Sequence, residues 1–181
     1  MQNLFYALKI IWYRIIKKDT NRLIEIRTER LRSKGAKIGQ NLRVFSNIST
    51  PETYLIEIGN DVVISTNVKL ITHDNSLGMY HNDITDSFGK IKIGDRTFIG
   101  EGTIILPGIE LSDNIIVGAG SVVTKSFKQS GVIIAGNPAR IIGNVQNYSK
   151  KYYKNGFNTA GLSFEEKKRI ILENEKKLLN K

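Results

Sequence analysis

From residue 93 onward an aliphatic residue stands at every sixth position: Ile93, Ile99, Ile105, Leu111, Val117 and Val123. The position after it is small or glycine in most repeats, as in Gly94, Gly100, Ser112, Gly118 and Thr124. The same phase runs upstream through Ile58, Ile64 and Leu70, and again through Ile38 and Val44. A period of six fits neither the 3.6-residue turn of a helix nor the alternation of one long strand. It fits a chain that turns a corner after each short strand, three strands to a coil. The aliphatic side chain then points inward at each corner, and the small residue permits the bend. Such a coil buries its core only against the next coil, so both ends need covering segments. The expected fold is mainly β, a parallel β-helix of hexapeptide repeats.

The period breaks twice. Between Val44 and Ile58 there are two extra residues beyond whole repeats, and Thr50-Pro51 marks the expected bulge. Between Leu70 and Ile93 the excess is five residues, in a stretch that holds His73, Gly78, His81 and Gly89. That stretch reads as a loop, residues 74–90, thrown out from a regular coil. Loops on rigid scaffolds are where function concentrates, so the chemistry is sought there.

Outside residues 35–147 the pattern turns helical. Leu4, Leu8, Ile11, Trp12 and Ile15 form one apolar face, and a second helical pattern covers residues 19–33 and stops near Gly35. At the other end Ser163 and Glu166 form a capping-box pattern, with Ile170, Ile171, Leu178 and Leu179 as the apolar side of the helix it opens. This gives an N-terminal helical segment at 1–34, the coil at 35–147 and a helical tail at 148–181. The net charge of +10 follows these boundaries. Residues 1–34 hold nine basic and three acidic side chains, residues 148–181 nine and four, and the coil nine and ten. A nucleic-acid reader carries its basic residues along the reading surface, with aromatics for stacking, so no nucleic-acid partner is expected. Solvated helix faces account for the charge, and attraction of the N-terminal helix to an anionic membrane surface is the functional alternative. With no cysteine there is no disulfide, thiolate metal site or cysteine nucleophile. The apolar stretch Leu4 to Ile16 is too short to span a bilayer and lacks a signal-peptide cleavage pattern, so a cytoplasmic location is expected, with the inner face of the membrane as the alternative within it.

Three features together resemble a known family. They are the repeated Ile-Gly units, the segment Leu70-Ile71-Thr72-His73-Asp74 before the loop, and the stretch from Val117-Gly-Ala-Gly-Ser-Val-Val-Thr-Lys125 through Gly136-Asn-Pro-Ala-Arg140. Over residues 36–143 the chain resembles the hexapeptide-repeat acetyltransferases, and within them the galactoside, maltose and capsular or lipopolysaccharide O-acetyltransferases. The resemblance implies a left-handed coil, a homotrimer with active sites between neighbouring subunits, and acetyl-CoA as donor. The repeats alone speak only for the fold, which other activities share.

Acetyl transfer to an alcohol needs a base for the hydroxyl proton, donors for the developing oxyanion and a groove for CoA. Histidine is the natural base because it titrates near working pH. The chain has two, His73 and His81. His73 stands where the repeat breaks and matches the family's catalytic histidine. His81 lies deeper in the loop and is assigned to the acceptor. Asp74 is next to His73, but neighbours in an extended chain point to opposite faces, so a structural role is expected for it. No serine stands in a nucleophile-elbow context, which favours direct attack of the acceptor on the thioester. By the resemblance, Ala119, Thr124, Lys125 and Arg140 occupy CoA-contacting positions, and Asn47 an acceptor-binding one. Gly118-Ala119-Gly120 can let a pantetheine arm lie along backbone amides, and the two cations can meet phosphates. Glu101 stands where related sugar acetyltransferases often carry serine or asparagine.

Other activities use the same coil. A metal-dependent hydratase would need three histidine ligands, and the chain holds two histidines, so no metal is expected. A serine or amino-sugar N-acetyltransferase would share the donor site. A bacterial serine acetyltransferase carries a larger helical N-terminal domain than 34 residues allow. A non-catalytic β-helix scaffold remains the reading from another class, against which His73, Thr124, Lys125 and Arg140 speak.

Overall fold

The computed structural model describes residues 2–180, with side chains from residue 4 onward. Two helices lead into the coil. Helix α1 (Gln2–Ile11) continues as a π-helical turn, Trp12–Ile16. Helix α2 (Thr20–Ser33) is capped by Asp19, whose carboxylate accepts a hydrogen bond from the Arg22 backbone N–H. Its buried face, Leu23, Ile24, Ile26, Thr28 and Leu31, closes the first coil.

The coil begins with β1 (Lys37–Ile38) and β2 (Arg43–Val44). The second turn carries β3 (Ile56–Ile58), β4 (Val63–Ile64) and β5 (Lys69–Leu70). After it come β6 (His73–Asp74) and β7 (Ser87–Phe88), which pair antiparallel with each other. The third turn holds β8 (Ile91–Ile93), β9 (Phe98–Ile99) and β10 (Ile104–Ile105). The fourth holds β11 (Glu110–Leu111), β12 (Ile116–Val117) and β13 (Val122–Val123). Strand β14 (Val132–Gly136) continues the stack, and β15 (Ala139–Asn144) folds back on it antiparallel.

Strands one coil apart pair in parallel, so the chain visits three sheets in rotation. One sheet runs β1-β3-β8-β11, the second β2-β4-β9-β12-β14-β15, and the third β5-β10-β13. The repeat positions are the last residues of these short strands, and the residue after each, small in most repeats, opens the turn. A second inward row lies two residues earlier, at Ile56, Val62, Val68, Ile91, Thr97, Thr103, Ile109, Ile115 and Ser121, all buried. The alternation of a strand explains it, because residues i and i+2 share a face. The aliphatic members of both rows form one continuous core. Burying each valine or isoleucine is worth about 1.5–3 kcal/mol. The inward hydroxyls keep partners: Ser121 and Thr103 both donate to the Gly118 carbonyl.

The coils stack closely enough to dictate glycine at some positions. A Cβ on Gly100 would lie 2.5 Å from the Ala119 backbone nitrogen in the coil above. At Gly89 it would lie 2.1 Å from the Gly108 nitrogen, so the returning arm of the loop must carry glycine where it rejoins the stack.

After the coil come α3 (Val145–Tyr152), capped by Asn144, and α4 (Phe164–Glu173), which opens with the Ser163–Glu166 capping box. Helix α4 ends before Leu178 and Leu179, which stand exposed beyond a 3-10 turn and so do not extend its apolar side as the sequence pattern suggests. Asn174 bonds back to Ile170 and ends the helix. No helix among the described residues is long and apolar enough to cross a membrane.

Candidate active site

Strand β6 holds His73 at the point where the loop leaves the third sheet. Its side chain is about one-third exposed, and its ring lies 6.2 Å from the Phe88 ring across the β6–β7 ribbon. Below it, the bulge at Thr50-Pro51 brings Glu52 to the same corner. The Glu52 carboxylate lies 2.9 Å from His73 Nδ1. The same oxygen accepts a bond from Thr72 Oγ1 at 2.8 Å, and Thr50 Oγ1 stands 3.4 Å away. Thr50 and Thr72, both buried, also share a short hydrogen bond.

Burial pulls the Glu52 carboxyl upward, but the hydrogen bonds from Thr72 and His73 outweigh it and hold the group below the usual carboxylate range. An ionised Glu52 can only accept, so Nδ1 carries the proton and Nε2 keeps its lone pair for a substrate proton. Glu52 is the residue that sequence reasoning misses. It sits 21 positions before His73, within one residue of a coil of eighteen plus the two-residue bulge, and the bulge there reads as irregularity alone. Counting one coil back from His73 and adding the two bulge residues leads to its neighbour Thr53, and that is the signal that finds it. Asp74 has another partner: its carboxylate accepts the Ser76 backbone N–H at 2.8 Å, which shapes the first turn of the loop. That bond and one from the Ser76 side chain hold its carboxyl below the usual range.

The remaining residues divide between two corners of the coil. Backbone bonds Ile71 to Ile105 and Leu106 to Val123 stack the turn before His73 beneath the turn that carries Thr124 and Lys125. Both of those are exposed, and the Lys125 ammonium lies 5.7 Å from the centre of the Phe127 ring. Bonds Phe45 to Ile64, Ser65 to Ile99 and Gly100 to Val117 stack Asn47 beneath Ala119 at a different corner. Asn47 is exposed and accepts a hydrogen bond from the Tyr6 hydroxyl at 3.0 Å, a tie to helix α1. Arg140 lies on β15 opposite Ala135, exposed, with its guanidinium donating to the Ala139 carbonyl. His81 is exposed beyond the 3-10 turn of the loop, its backbone N–H bonded to Leu77. One chain therefore sets His73, Thr124 and Lys125 on one edge and Asn47 with Ala119 on another. The two edges are separated by the width of a sheet, at most about 20 Å for six extended residues.

The Asn47 corner also opens a groove of about 730 Å³ between α2 and the turns of the first two coils. Arg14, Lys18, Arg27 and Lys69 line it together with Phe45 and Asn47.

Known proteins resemble this chain over much of its length. The repeat described as the hexapeptide repeat of succinyl-transferase matches residues 90–125. Protein CapG of Staphylococcus aureus is 41% identical over 149 residues, covering 80% of this chain and 86% of that protein. Galactoside O-acetyltransferase of Escherichia coli (strain K12) is 36% identical over 118 residues, 64% of this chain and 57% of its own length. The structure of a maltose O-acetyltransferase from Clostridium difficile 630 superposes with a TM-score of 0.54 at 29% identity, over 77% of this chain and 84% of that one. A galactoside acetyltransferase solved in complex with coenzyme A shares the fold, at 20% identity and a TM-score of 0.57, over 88% of this chain and 86% of that one.

Proposed function

This chain belongs to the hexapeptide-repeat acetyltransferase family, and on that premise we propose that it moves an acetyl group from acetyl-CoA to a hydroxyl of a sugar or cell-surface glycan, with His73 as general base. The observation that carries the reading is the His73–Glu52 pair at the break in the repeat. Nε2 takes the acceptor's O–H proton as the oxygen attacks the thioester carbonyl. The tetrahedral intermediate collapses with loss of the C–S bond, and the imidazolium returns the proton to the leaving thiolate, giving free CoA and an acetyl ester. Glu52 fixes the tautomer and stabilises the imidazolium without itself taking the proton. An acetyl-CoA consumption assay against sugars, nucleotide sugars and amino acids tests the reading. Turnover confined to amines or serine would replace it with N-acetyl or serine transfer, and no turnover with any acceptor would favour a scaffold.

The parallel three-sheet coil supports the left-handed β-helix of the family, and the split between two corners supports a homotrimer. Ala119 lies on one edge, with Thr124 and Lys125 on another, so a CoA channel using all three closes only when a second copy lays its edge against the first. Sedimentation is expected to give a trimer, and a clean monomer at micromolar concentration would remove the shared site.

Lys125 and Arg140 are exposed near the last coils, and Gly118-Ala119-Gly120 leaves the backbone open to a thin ligand, which fits an arm ending in phosphates. Arg140→Ala is expected to raise the KM for acetyl-CoA more than it lowers kcat. A phosphate contact is made equally in the ground and transition states. An unchanged KM would move the phosphates elsewhere.

Helix α1 and the following turn expose Leu4, Leu8, Ile11, Trp12 and Ile15. With Lys9, Arg14, Lys17 and Lys18 on the same segment, this stripe suits weak binding to an anionic membrane surface. Co-sedimentation with phosphatidylserine vesicles is expected at low salt and lost at high salt. No binding at low salt would assign the stripe to packing within the trimer.

A further inference from the structure

We infer that the groove between α2 and the first two coils holds the acceptor by an anionic group, so that the enzyme's acceptor is a charged saccharide bearing a carboxylate or a phosphate. The inference rests on the proposed transfer, because it takes a second copy to bring a His73 to this edge.

The groove holds four cationic residues, Arg14, Lys18, Arg27 and Lys69, and no acidic one lines it. Among the described residues none of the four forms an ion pair. The neighbouring acids already have partners: Asp19 caps α2, and Glu101 accepts from Asn67 on the groove wall. Like charges gathered without counter-charge repel one another, and an oxyanion placed among them relieves that repulsion. Arg27 shows the strain most clearly. Its Nε is closed off from solvent without a hydrogen-bond partner, and Nη1 reaches the Val44 carbonyl only at 3.5 Å. Burial and the nearby Arg14 both pull its guanidinium below the usual arginine range, a tendency the Tyr6 hydroxyl opposes. A surface that merely kept the protein soluble would leave its arginines fully hydrated.

Position and size agree with an acceptor subsite. The volume, about 730 Å³, lies within the roughly 300–1,000 Å³ of small-molecule sites. Asn47, matched on sequence to an acceptor contact, lines it, and the Thr66–Lys69 turn forms its other side. The CoA-matched Ala119 stands on the same edge three coils above Asn47, or about 14 Å at the spacing of neighbouring strands. Donor and acceptor sites can therefore share one edge without overlap. Guanidinium groups favour carboxylate and phosphate because their N–H fork matches both oxyanions.

Calorimetric titration of the full chain with galactose, galacturonate and galactose 1-phosphate, each with saturating CoA present, tests the inference and separates carboxylate from phosphate. At least one charged sugar is expected to bind about tenfold or more tighter than galactose at low salt, with the advantage shrinking as salt is added. Lys18→Gln, at an exposed position, and Arg27→Gln are each expected to reduce that preference. Equal binding of neutral and charged sugars, a preference that survives Lys18→Glu together with Arg27→Gln, or displacement of the charged sugar by CoA would overturn it. Acetyl-CoA turnover is measured on the same sugars. Charge-selective binding without turnover keeps the groove and removes the transferase reading, whereas turnover without charge preference does the reverse.

Discussion

His73→Ala lowers kcat by about 10²–10⁴-fold, the usual worth of a positioned general base, while fold, assembly and the KM for acetyl-CoA stay close to those of the parent. The side chain is partly exposed at the rim of the coil and belongs to neither inward row, so its truncation opens no core cavity. Beside it, the hydrogen bonds from Thr72 and His73 hold the Glu52 carboxyl below its usual range, and Asp74 is held by Ser76. Protonation of the base removes the lone pair that the mechanism needs, so activity is expected to fall at low pH. His81→Ala has a much smaller effect and acts on the acceptor KM, because His81 stands out in the loop. Should His81→Ala lose activity while His73→Ala keeps it, the base lies at the other end of the loop. Should both stay active, transfer does not use a histidine base.

Glu52→Gln lowers kcat by about 10²-fold with little change in either KM, since it touches neither substrate and acts through His73. A carboxylate can only accept, whereas an amide can also turn its NH₂ toward Nδ1. That orientation puts the proton on Nε2 and removes the lone pair the mechanism needs. Thr50 and Thr72 hold the Glu52 oxygen from the other side, so Thr72→Val is expected to act in the same direction and more weakly. Parent-like kcat in Glu52→Gln would make the 2.9 Å contact a structural tie only.

The period of six gave the coil because its cause is local: from β1 to β13 every strand is two or three residues long, and the turns of the coil repeat the same bend. The second inward row escapes the same reading, since Thr97, Thr103 and Ser121 are polar by type and only their place in the alternation shows that they are buried. The antiparallel return of β15 was hidden for another reason, its aliphatic residues Ile141 and Ile142 being exposed rather than in phase. At the candidate site, His73 was legible because the repeat breaks beside it. Glu52 was not, because its meaning depends on register between coils, a long-range relation that a bulge of two residues sets. The cationic groove was equally hidden. It joins Arg14 and Lys18 from before α2, Arg27 within it, and Lys69 in the second coil, and only the docking of α2 onto β2 brings them together.

Rapid-quench transfer with acetyl-CoA labelled in the acetyl group tests direct transfer from donor to acceptor most closely. Label is expected to leave CoA and appear as an ester on the saccharide in a single phase, with none on the protein by intact mass at any time, and His73→Ala is expected to slow that phase. Label accumulating on the protein before it reaches the sugar would contradict the account.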